Sequence, residues 1–544
     1  MNAAAAGTVT SSAVPGVRLL RPARVAACPL ADLAALLRLP APAGRVSVTG
    51  VTHASDQVRP GDLYAALPGA RRHGAEFIAA AAAAGAVAVL TDPTGAPAAA
   101  AAGLPALVVP QPRPVLGPVA ARVYGDPSSR LSIIGITGTA GKTSTAYLLE
   151  AGLRAAGRTP ALLGTVETRL GDLTVDSVRT TPEATDLHAM FALAAEHGVD
   201  AVAMEVSSHA LALDRVGGVR FAVGGWTNFG LDHLDFHPDA EAYFEAKARL
   251  FDGRCGVEVI NADDPALAPL IRPATVTYSA AGDRAASWYA TDPVGEFRQR
   301  FTAHGPAGPV PAEVALPGAH NVANALLAIA ALVAIGIDPA VAAAGVAGCP
   351  GVPGRLELVG QESDPVLGVV DYAHKPDSIV AVLAALRPVT QARGGRLVCV
   401  IGAGGDRDAG KRPLMGAAAA RGADLVIVTD DNPRSEDPAA IRADVLAGAA
   451  QVPGAVVRQI AGRREALAAA VRSARPGDVV AVLGKGHERG QEIAGQIHPF
   501  DDRTALADVL ATVISDHERD GASVARGGSR PAGPARRDGG GHAD

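Results

Sequence analysis

Residues 131–156 read LSIIGITGTAGKTSTAYLLEAGLRAA, and this stretch decides the fold of the middle of the chain. It opens with an apolar run typical of a buried strand, passes through a glycine-containing loop, and continues into a helix predicted over Ser144 to Ala156. A strand, a loop of this kind and a helix, in that order, indicate an α/β unit that binds phosphate at the helix start.

The loop itself carries the residue types that hold nucleotide phosphates. Its glycines let backbone N–H groups turn toward the phosphates, Lys142 adds a mobile positive charge, and the Thr143 hydroxyl can ligate Mg²⁺. The usual motif has a glycine five residues before Gly141, where this chain has Ile136, so the loop is a shortened variant. A tight glycine turn with a solvated lysine is the alternative. The predicted ATP-binding residues of the loop are Gly138, Thr139, Ala140, Gly141, Lys142, Thr143 and Ser144.

Outward from this stretch, short apolar strands alternate with helical segments, which predicts an α/β protein with mostly parallel sheets. At roughly 100–200 residues per domain, 544 residues suggest three domains. The predicted strands are Ala86–Leu90, Ala106–Val109, Ala201–Met204, Phe221–Gly224, Val257–Ile260, Val366–Val370, Arg396–Ile401, Leu425–Thr429 and Val479–Leu483. The predicted regions are a disordered tail over 1–24, domains over 25–130, 131–352 and 353–517, and a disordered tail over 518–544.

Composition narrows the class of protein. The net charge of −6 offers no basic excess for nucleic acid. The four cysteines, at positions 28, 255, 349 and 399, are too far apart in sequence for a metal or redox motif, which indicates a reducing compartment. The longest apolar run, Ala325 to Ile337, is shorter than the roughly 20 residues that a membrane span needs, and no signal peptide is recognised. We therefore expect a cytoplasmic protein without membrane insertion.

Carboxylate, histidine and lysine groups follow the phosphate loop in the sequence. Glu205 stands directly after the predicted strand Ala201–Met204, where a carboxylate suits Mg²⁺. His233 lies in DHLDFH, and Lys247 lies in YFEAKARLF. Taken singly, His233 is as well explained as a capping or core histidine, and Lys247 as an exposed helical lysine. Their order after a phosphate loop favours a metal-assisted site.

A longer series of motifs resembles the Mur ligase family. The motifs, in chain order, are GTAGKTS, TTPEA, EVSSHAL, DHLDFH, YFEAKARLF, HNVANAL, GRLE, DYAH, GGDRD, DNPR and GKGHE, and they cover nearly all of residues 45–510. The resemblance implies a three-domain architecture in which the first domain holds UDP. The central domain is a P-loop ATPase-type parallel sheet, and the third is Rossmann-like.

The resemblance also implies the activity and its reactants. ATP would phosphorylate a substrate carboxylate with the help of Mg²⁺, and an incoming amine would displace phosphate from the acyl phosphate. The reactants would be ATP, a UDP-muramoyl dipeptide ending in D-glutamate, and meso-diaminopimelate, in cell-wall peptidoglycan synthesis. We expect a monomer acting on these small molecules.

The implied site residues fall into four sets. The catalytic set is Lys142, His233, Lys247 and Arg355, and further ATP contacts are Asn321, Asp371 and His374. The metal set is Thr143, Glu205, His233 and Lys247, the last carbamylated to N6-carboxylysine. The UDP-muramoyl set is Ser55, Thr180, Thr181, Ser207, Leu213 and Arg215. The diaminopimelate set is Arg407, Asp431, Asn432, Pro433, Arg434, Gly484 and Glu488, in which Arg407 and Arg434 would hold the far carboxylate, and Asp431 and Glu488 the ammonium.

Some positions depart from the family pattern. Ala54-Ser55-Asp56 stands where Asp-Ser-Arg is usual near UDP, Leu213 stands where some relatives have Gln, and Ala403 replaces a cysteine. Four alternatives remain: a sister ligase that adds lysine, a folate-type polyglutamate ligase, a nucleotide-binding regulator and a simple kinase. A lysine-adding enzyme should lack the arginine of DNPR, a folate-type enzyme needs no UDP domain, and a regulator should have a broken metal set. A simple kinase would have no use for the residues of the diaminopimelate set.

Overall fold

The computed structural model describes residues 20–69 and 71–512. Most of the two predicted tails, residues 1–19 and 518–544, lies outside this range, as do residues 513–517 of the predicted third domain. Arg21, inside the predicted N-terminal tail, forms an ion pair with Asp62 at 2.7 Å. The described residues divide into two compact units, one within 20–294, 299–315 and 319–350, and the other within 295–298, 316–318 and 351–512. The predicted bounds of the three domains stay a prediction.

The first unit begins with a small α/β region. Its elements are β1 (Cys28–Pro29), α1 (Leu30–Leu36), β2 (Ser47–Val48), β3 (Gly50–Thr52), β4 (Asp62–Ala66), α2 (Ile78–Ala83), β5 (Ala88–Thr91), α3 (Ala96–Ala101), β6 (Ala106–Val108) and α4 (Pro112–Val123), with 3-10 turns at Ser55–Gln57, Gly74–Phe77 and Pro127–Ser129. Strands β3 to β6 form a parallel sheet in that order. Both faces of the sheet are covered by buried apolar side chains, as parallel sheets require.

An eleven-stranded sheet occupies the rest of this unit. Its elements are β7 (Ser132–Thr137), α5 (Lys142–Ala155), β8 (Pro160–Leu163), β9 (Glu167–Leu170), β10 (Leu173–Asp176), α6 (Ala184–Glu196), β11 (Ala201–Glu205), α7 (Ser208–Ala212), β12 (Phe221–Trp226), α8 (Ala240–Ala248), β13 (Cys255–Asn261), β14 (Val276–Ser279), β15 (Trp288–Val294), β16 (Gln299–Gly305), β17 (Gly308–Val314), α9 (Ala319–Ala334) and α10 (Pro339–Ala347), with 3-10 turns at Arg249–Phe251 and Pro265–Leu270. The strand order is β10-β9-β8-β11-β7-β12-β13-β14-β15-β16-β17.

The register of the central strands positions the site. Strand β7 lies between β11 and β12 and is parallel to both, with Ile136 opposite Glu205 and Thr137 opposite Trp226. The segments that follow these three strands therefore emerge at one edge of the sheet, where open α/β sheets bind ligands. Helix α5 begins at Lys142, two residues before the predicted start, because Gly141 has a φ of 84° and cannot be helical.

The sequence did not predict strands β14 to β17. Strands β15, β16 and β17 pair antiparallel at one side of the sheet, and buried residues alternate with more exposed ones along β17. Such strands lack the continuous apolar run that marks a strand buried on both faces. The predicted strands nearby are present, with ends shifted by one to three residues.

The second unit contains a six-stranded sheet. Its elements are β18 (Glu357–Val359), β19 (Leu367–Asp371), α11 (Pro376–Ala392), β20 (Leu397–Ile401), α12 (Lys411–Gly422), β21 (Leu425–Val428), α13 (Pro438–Ala449), β22 (Val457–Gln459), α14 (Arg463–Ser473), β23 (Val479–Leu483) and the hairpin β24 (Gly490–Ile493) with β25 (Gln496–Pro499). A final helical segment begins at Asp502. The order is β18-β19-β23-β20-β21-β22, and all pairs are parallel except β18 with β19.

The carboxyl ends of β20, β21 and β23 share one edge, because Ile401 lies opposite both Val428 and Leu483. Valine, isoleucine and leucine from these strands, with α14, form the core of the second unit. No helix among residues 20–69 and 71–512 is both long and apolar enough to cross a membrane.

Candidate active site

The phosphate loop is hydrogen-bonded to the segment that follows β12. The Thr139 N–H donates to the Asn228 carbonyl at 2.9 Å, and the Ala140 N–H donates to the Asn228 side-chain oxygen at 3.0 Å. A Cβ at Gly138 would overlap the Thr227 hydroxyl, so the loop requires glycine there for space as well as for its φ of 140°. Lys142 Nζ donates to the Gly138 and Thr139 carbonyls at 2.7 and 3.0 Å, which places its ammonium over the loop.

Glu205 lies against this loop in a desolvated position. It is 1% exposed, and its carboxylate accepts hydrogen bonds from the Thr143 hydroxyl at 3.0 Å and from the Thr165 N–H at 2.7 Å. The Thr165 hydroxyl donates to the other carboxylate oxygen at 3.2 Å. A carboxylate this buried needs hydrogen bonds to offset its desolvation. Thr165 was not among the predicted residues, and no pattern in the sequence marks it.

Lys247 reaches the same loop from helix α8. It is 1% exposed, and its Nζ donates to the Gly138 carbonyl at 2.8 Å, so this carbonyl receives bonds from two lysines. The Lys247 ammonium also lies 4.7 Å from the centre of the Tyr243 ring. The Tyr243 hydroxyl in turn shares a hydrogen bond with the Thr139 hydroxyl at 3.2 Å. The alternative of an exposed helical lysine is therefore wrong for Lys247.

His233 lies in an aromatic group beside Tyr243. Its ring centre is 4.7 Å from that of His209 and 6.1 Å from that of Tyr243, and its Nε2 is 3.3 Å from Asp232. Its φ of 54° turns the backbone, and the Phe236 and His237 N–H groups donate to the His233 carbonyl. Burial is the main cause that lowers the pKa of both His209 and His237, so these two rings favour the neutral form.

Asn321 contacts the phosphate loop through one intermediate. It is 2% exposed at the start of α9, and its side-chain oxygen accepts from the Asn324 amide at 3.1 Å. A Cβ at Gly141 would lie 2.5 Å from the Asn324 side-chain oxygen, so Asn324 packs directly on the loop. The predicted adenine contact is thus positioned next to the predicted phosphate site.

Three of the six predicted UDP-muramoyl residues, Thr180, Thr181 and Ser207, are linked by hydrogen bonds to the surroundings of Glu205. The Thr180 and Thr165 hydroxyls share a hydrogen bond at 3.0 Å, and the Thr181 hydroxyl donates to the Glu205 carbonyl at 2.9 Å. The Ser207 N–H donates to the Thr181 hydroxyl at 3.1 Å. These side chains connect the substrate set to the metal set.

The other three residues of the UDP-muramoyl set, Ser55, Leu213 and Arg215, belong to other segments of the first unit. Arg215 pairs with Glu183 at 2.8 Å, and burial lowers the pKa of this guanidinium. Leu213 caps the C-terminal end of helix α7, and Ser55 begins a 3-10 turn that follows β3. Two residues before Ser55, the His53 ring shares a hydrogen bond with the Thr185 hydroxyl at 3.2 Å, which ties this segment to helix α6.

The oxygen donors near the loop fit magnesium. Magnesium binds through one or two carboxylates and through substrate phosphates rather than in an all-protein cage. Thr143 and Glu205 supply a hydroxyl and a carboxylate 3.0 Å apart. Within the described residues, no three His, Cys, Asp or Glu side chains form a cluster that would hold a metal alone.

In the second unit, Arg355, Asp371 and His374 form a local group. The Asp371 carboxylate accepts from the Leu356 and Ala373 N–H groups, both at 2.7 Å, and burial raises the pKa of this carboxyl. The Arg355 guanidinium lies 4.6 Å from the Tyr372 ring centre. Burial lowers the pKa of His374 to about 4, so the ring is neutral at pH 7.

The loops that contain the predicted diaminopimelate residues follow the neighbouring strands β20, β21 and β23. Arg434 donates from Nη1 to the Gly405 carbonyl at 2.7 Å, and its Nε lies 3.3 Å from Glu492. Arg407 belongs to the exposed loop after β20, and its Cγ lies within 4.0 Å of a Cβ placed at Gly404. The two arginines predicted to hold one carboxylate therefore come from adjacent loops.

The acidic residues of the diaminopimelate set, Asp431 and Glu488, lie in the loops after β21 and β23. Asn432 donates from its amide to the Glu488 carboxylate at 2.8 Å, and a Cβ at Gly484 would lie 2.5 Å from the Asp431 carboxylate. Pro433 is buried between Asn432 and Arg434. The structure thus brings together the loops that contain all seven predicted residues.

Two basic side chains of this unit that are fully buried, those of Lys485 and Arg463, were not predicted as site residues. Lys485 is completely buried, and its Nζ lies between Asn432 and Glu488 at 3.1 and 3.2 Å. Arg463 pairs with Asp502 at 2.6 Å, and both side chains are fully buried. Lys485 lies inside the GKGHE motif, which is the only signal in the sequence that points to it.

A cavity of about 800 Å³ lies elsewhere in the first unit. Phe221 and Cys255, at the amino ends of β12 and β13, are among its lining residues. Ligands of open α/β sheets bind at the carboxyl ends of the strands, so this cavity is not the candidate site.

Comparison with known protein families agrees with the geometry. Residues 47–124 match the Mur ligase family, catalytic domain, residues 136–332 match the Mur ligase middle domain, and residues 354–486 match the Mur ligase, glutamate ligase domain. The chain belongs to the Mur ligase family, with the three-domain α/β architecture of that family.

Individual relatives within the family indicate one particular ligase. The UDP-N-acetylmuramoyl-L-alanyl-D-glutamate–2,6-diaminopimelate ligase of Streptomyces coelicolor is 55% identical, over 90% of this chain and 98% of its own length. The ligase of the same name from Corynebacterium efficiens is 49% identical, over 84% of this chain and 89% of its own. A solved structure of a ligase with this name is 33% identical, with a TM-score of 0.62, and the match covers 86% of this chain and 95% of that one.

Proposed function

We propose that this protein is an ATP-dependent amide ligase of peptidoglycan synthesis. It joins meso-diaminopimelate to the D-glutamate of UDP-N-acetylmuramoyl-L-alanyl-D-glutamate. The observation that carries the proposal is 55% identity to a ligase named for this reaction along 98% of that ligase's length. The hydrogen bond from the Thr143 hydroxyl of the phosphate loop to the buried Glu205 carboxylate supports it independently.

The first unit would bind the nucleotide dipeptide and activate its carboxylate. Thr180, Thr181 and Ser207 offer hydroxyl groups beside Glu205, and Arg215 offers a guanidinium for a phosphate or carboxylate. Ser55 and Leu213 complete the proposed substrate set. Arg215 would exchange its pairing with Glu183 for one with the substrate anion.

ATP would bind at the phosphate loop. Lys142 and the loop N–H groups would hold its phosphates, and Asn321 would contact adenine. Arg355, Asp371 and His374 of the second unit are proposed as further nucleotide contacts. His374, neutral because of burial, would donate or accept a hydrogen bond rather than supply charge.

Thr143, Glu205, His233 and Lys247 are the proposed holders of Mg²⁺. Bound magnesium would neutralise the charge between the γ-phosphate and the attacking carboxylate. Carbamylation would convert the buried Lys247 ammonium into an anion beside the Gly138 carbonyl. In the ammonium form, Lys247 repels a cation, so the modification changes the sign of the local charge.

The reaction forms one amide bond for each ATP consumed. A carboxylate oxygen of D-glutamate attacks the γ-phosphorus, and the bond to ADP breaks, which leaves an acyl phosphate. The unprotonated amine of meso-diaminopimelate then attacks the acyl carbon. The tetrahedral intermediate expels phosphate and loses a proton, which leaves the amide. The protein would contribute to catalysis mainly through preorganised positive groups, which stabilise the negative charge that develops in the transition states of these steps.

The amino acid would bind at the edge formed by β20, β21 and β23. Arg407 and Arg434 would hold the carboxylate at its far end in fork geometry, and Asp431 and Glu488 would hold the ammonium. Asn432, Pro433 and Gly484 shape the backbone around these groups. A lysine-adding ligase of the same fold is the second candidate, and it differs by needing no cation for that far carboxylate.

An ADP-release assay on the UDP-muramoyl dipeptide with a panel of amino acids tests the proposal. We expect activity that requires ATP, Mg²⁺, the dipeptide and meso-diaminopimelate together, with a tripeptide product identified by mass. Removal of Mg²⁺ with EDTA should stop the reaction, and its return should restore it. ADP release with the dipeptide omitted would contradict the ligase assignment.

A further inference from the structure

Lysine is rare in this chain, and its positions are not random. Of the 49 lysine and arginine residues, only five are lysine, and each lies in or within three residues of a motif named in the sequence analysis. The five are Lys142, Lys247, Lys375, Lys411 and Lys485. Where a chain uses arginine almost everywhere else, a lysine marks a position that needs a compact ammonium group.

The proposed function assigns no role to three of these lysines, Lys375, Lys411 and Lys485. Of the three, Lys485 is fully buried. It stands between Gly484 and Gly486, whose φ angles of 116° and 53° turn the backbone so that the side chain points inward. Its Nζ lies 3.1 Å from the Asn432 side-chain oxygen and 3.2 Å from the Glu488 carboxylate. The Asp431 carboxylate lies at 3.8 Å.

The partners of Lys485 are themselves connected. The Asn432 amide donates to the same Glu488 oxygen at 2.8 Å, and the Glu492 N–H donates to the Asn432 side-chain oxygen at 3.0 Å. The orientation of the Asn432 amide is therefore fixed, because its nitrogen donates to Glu488 and its oxygen accepts from Lys485 and from the Glu492 N–H. Lys485 closes this network with three donors, whereas a guanidinium would bring five donors in a rigid fork to the same space.

Charge explains what the network does. Asp431 and Glu488 are two carboxylates at one site, and they repel each other when no cation lies between them. Lys485 offsets one of the two negative charges. The pair then keeps one net negative charge, which matches one ammonium group on an incoming amino acid.

We propose that Lys485 is a positioning residue that orients Asp431 and Glu488 for the ammonium of meso-diaminopimelate. This inference rests on the proposed function. Without the lysine, Glu488, whose side chain is 33% exposed, turns toward water and away from Asp431. The ammonium then meets a poorly ordered carboxylate pair, while the sites for ATP and for the UDP-muramoyl dipeptide are unchanged.

Steady-state kinetics of Lys485→Met test this role, because methionine fills a similar volume without charge. We expect the KM for meso-diaminopimelate to rise at least 10-fold, while the KM values for ATP and for the dipeptide stay within twofold of wild type. Lys485→Arg should raise the same KM, because the fork does not fit the network. Arg472→Met, an exposed basic residue on α14, serves as the matched control and should behave like wild type.

The outcomes separate this inference from the proposed function. No ligation by the wild type would reject the proposed function itself. Wild-type ligation with an unchanged KM for meso-diaminopimelate in Lys485→Met would overturn only the role of Lys485. An equal rise in all three KM values would also overturn it, as a merely structural effect. If the methionine variant does not fold, Lys485→Gln, which keeps a donor without the charge, decides by the same KM comparison.

Discussion

Two charged side chains near the phosphate loop, those of Glu205 and Lys247, are buried. Burial of a charge destabilises the folded state unless the charge has a partner. Lys247 and Glu205 are each 1% exposed, yet both are hydrogen-bonded to the loop or to its neighbours. Buried charges with defined partners are typical of sites where the charge itself has a function. These residues therefore allow the most direct tests of the proposed chemistry.

Lys247→Ala should abolish ligation while the fold stays intact, because the anionic group proposed for metal binding is lost. Small carboxylates such as formate or acetate, which can enter the vacated space, should restore part of the activity. ADP release and the thermal midpoint are the measurements. Glu245→Ala, an exposed residue of the same helix, is the control. Unchanged turnover of Lys247→Ala would reject the carbamate hypothesis.

His188 allows a test of acid stability in the first unit. It is fully buried, its Nε2–H donates to the Gly217 carbonyl at 2.9 Å, and burial lowers its pKa to about 4. A histidine whose pKa is lower in the folded state stabilises the fold above pH 6.5, and this stability is lost as the pH falls toward 4. Between pH 7 and pH 5 the loss from this one group is about 2 kcal/mol.

His188→Gln keeps a donor for Gly217 but does not titrate. We therefore expect the variant to lose less free energy of unfolding than wild type between pH 7 and pH 5. Urea unfolding followed by tryptophan fluorescence measures this in the full chain, because Trp226 and Trp288 both lie in the first unit. Equal losses in the two proteins would show that His188 does not contribute to acid sensitivity.

At the scale of elements, parallel strands place loops that are distant in sequence at one edge. The ends of β21 and β23 are additionally joined by Arg463, which begins α14. Its guanidinium donates to the Asp430 carbonyl at 3.3 Å, to the Leu483 carbonyl at 3.0 Å and to the Asp502 carboxylate. One buried side chain thus connects two of the three loops proposed to bind the amino acid, those after β21 and β23, with the final helical segment.

Arg463→Met should leave Asp502 as an unpaired buried charge, which typically costs about 3–5 kcal/mol. We expect hydrogen exchange of the β21 and β23 amides to become at least 100-fold faster, together with a higher KM for meso-diaminopimelate. Arg463→Met combined with Asp502→Leu should recover most of the protection, because an apolar pair needs no counter-charge. Unchanged exchange in the single variant would show that this ion pair does not hold the strand ends.

At the scale of the whole molecule, the choice of amino acid is the property that distinguishes this ligase from its nearest alternative. Lysine and meso-diaminopimelate differ by one carboxylate at the far end. Discrimination therefore needs a cation there. The cation that we propose is Arg434, whose loop is tied by hydrogen bonds to the hairpin of β24 and β25. The expected monomeric state stays a prediction that light scattering would test.

Wild-type protein should ligate meso-diaminopimelate and show very little activity with lysine. A site built for a polar group can reject an analogue that lacks it by about 10⁴-fold, because the site's own polar groups are left unpaired. Arg434→Ala should lose most of the diaminopimelate activity yet still bind ATP, as measured by ADP release and by calorimetry. Equal turnover of lysine by the wild type would reject the assignment of diaminopimelate as the amino-acid substrate, but it would not contradict the proposal that the protein is a ligase.

The sequence alone determined the phosphate loop, most of the strands buried on both faces and the clustering of motifs after strands, although the buried strands β4 and β8 were not predicted. These features depend on residues close together in the chain: an apolar run, a glycine and a helix start. It also located the loop after β21 that contains Arg434, because turn and charge signals are local. The polar antiparallel strands β16 and β17 were missed, since their pattern is weak without their partners.

Only the tertiary structure decided which distant groups meet. Thr165 lies 40 residues from Glu205, Lys485 lies 53 residues from Asn432, and Arg463 lies 39 residues from Asp502. Such pairs depend on strand order, and β23 enters the sheet between β19 and β20 although it comes last of the three in the chain. Local periodicity carries no information about that order. The partners of a buried charge therefore follow from the assembled sheet, whose low dielectric makes an unpaired charge unstable.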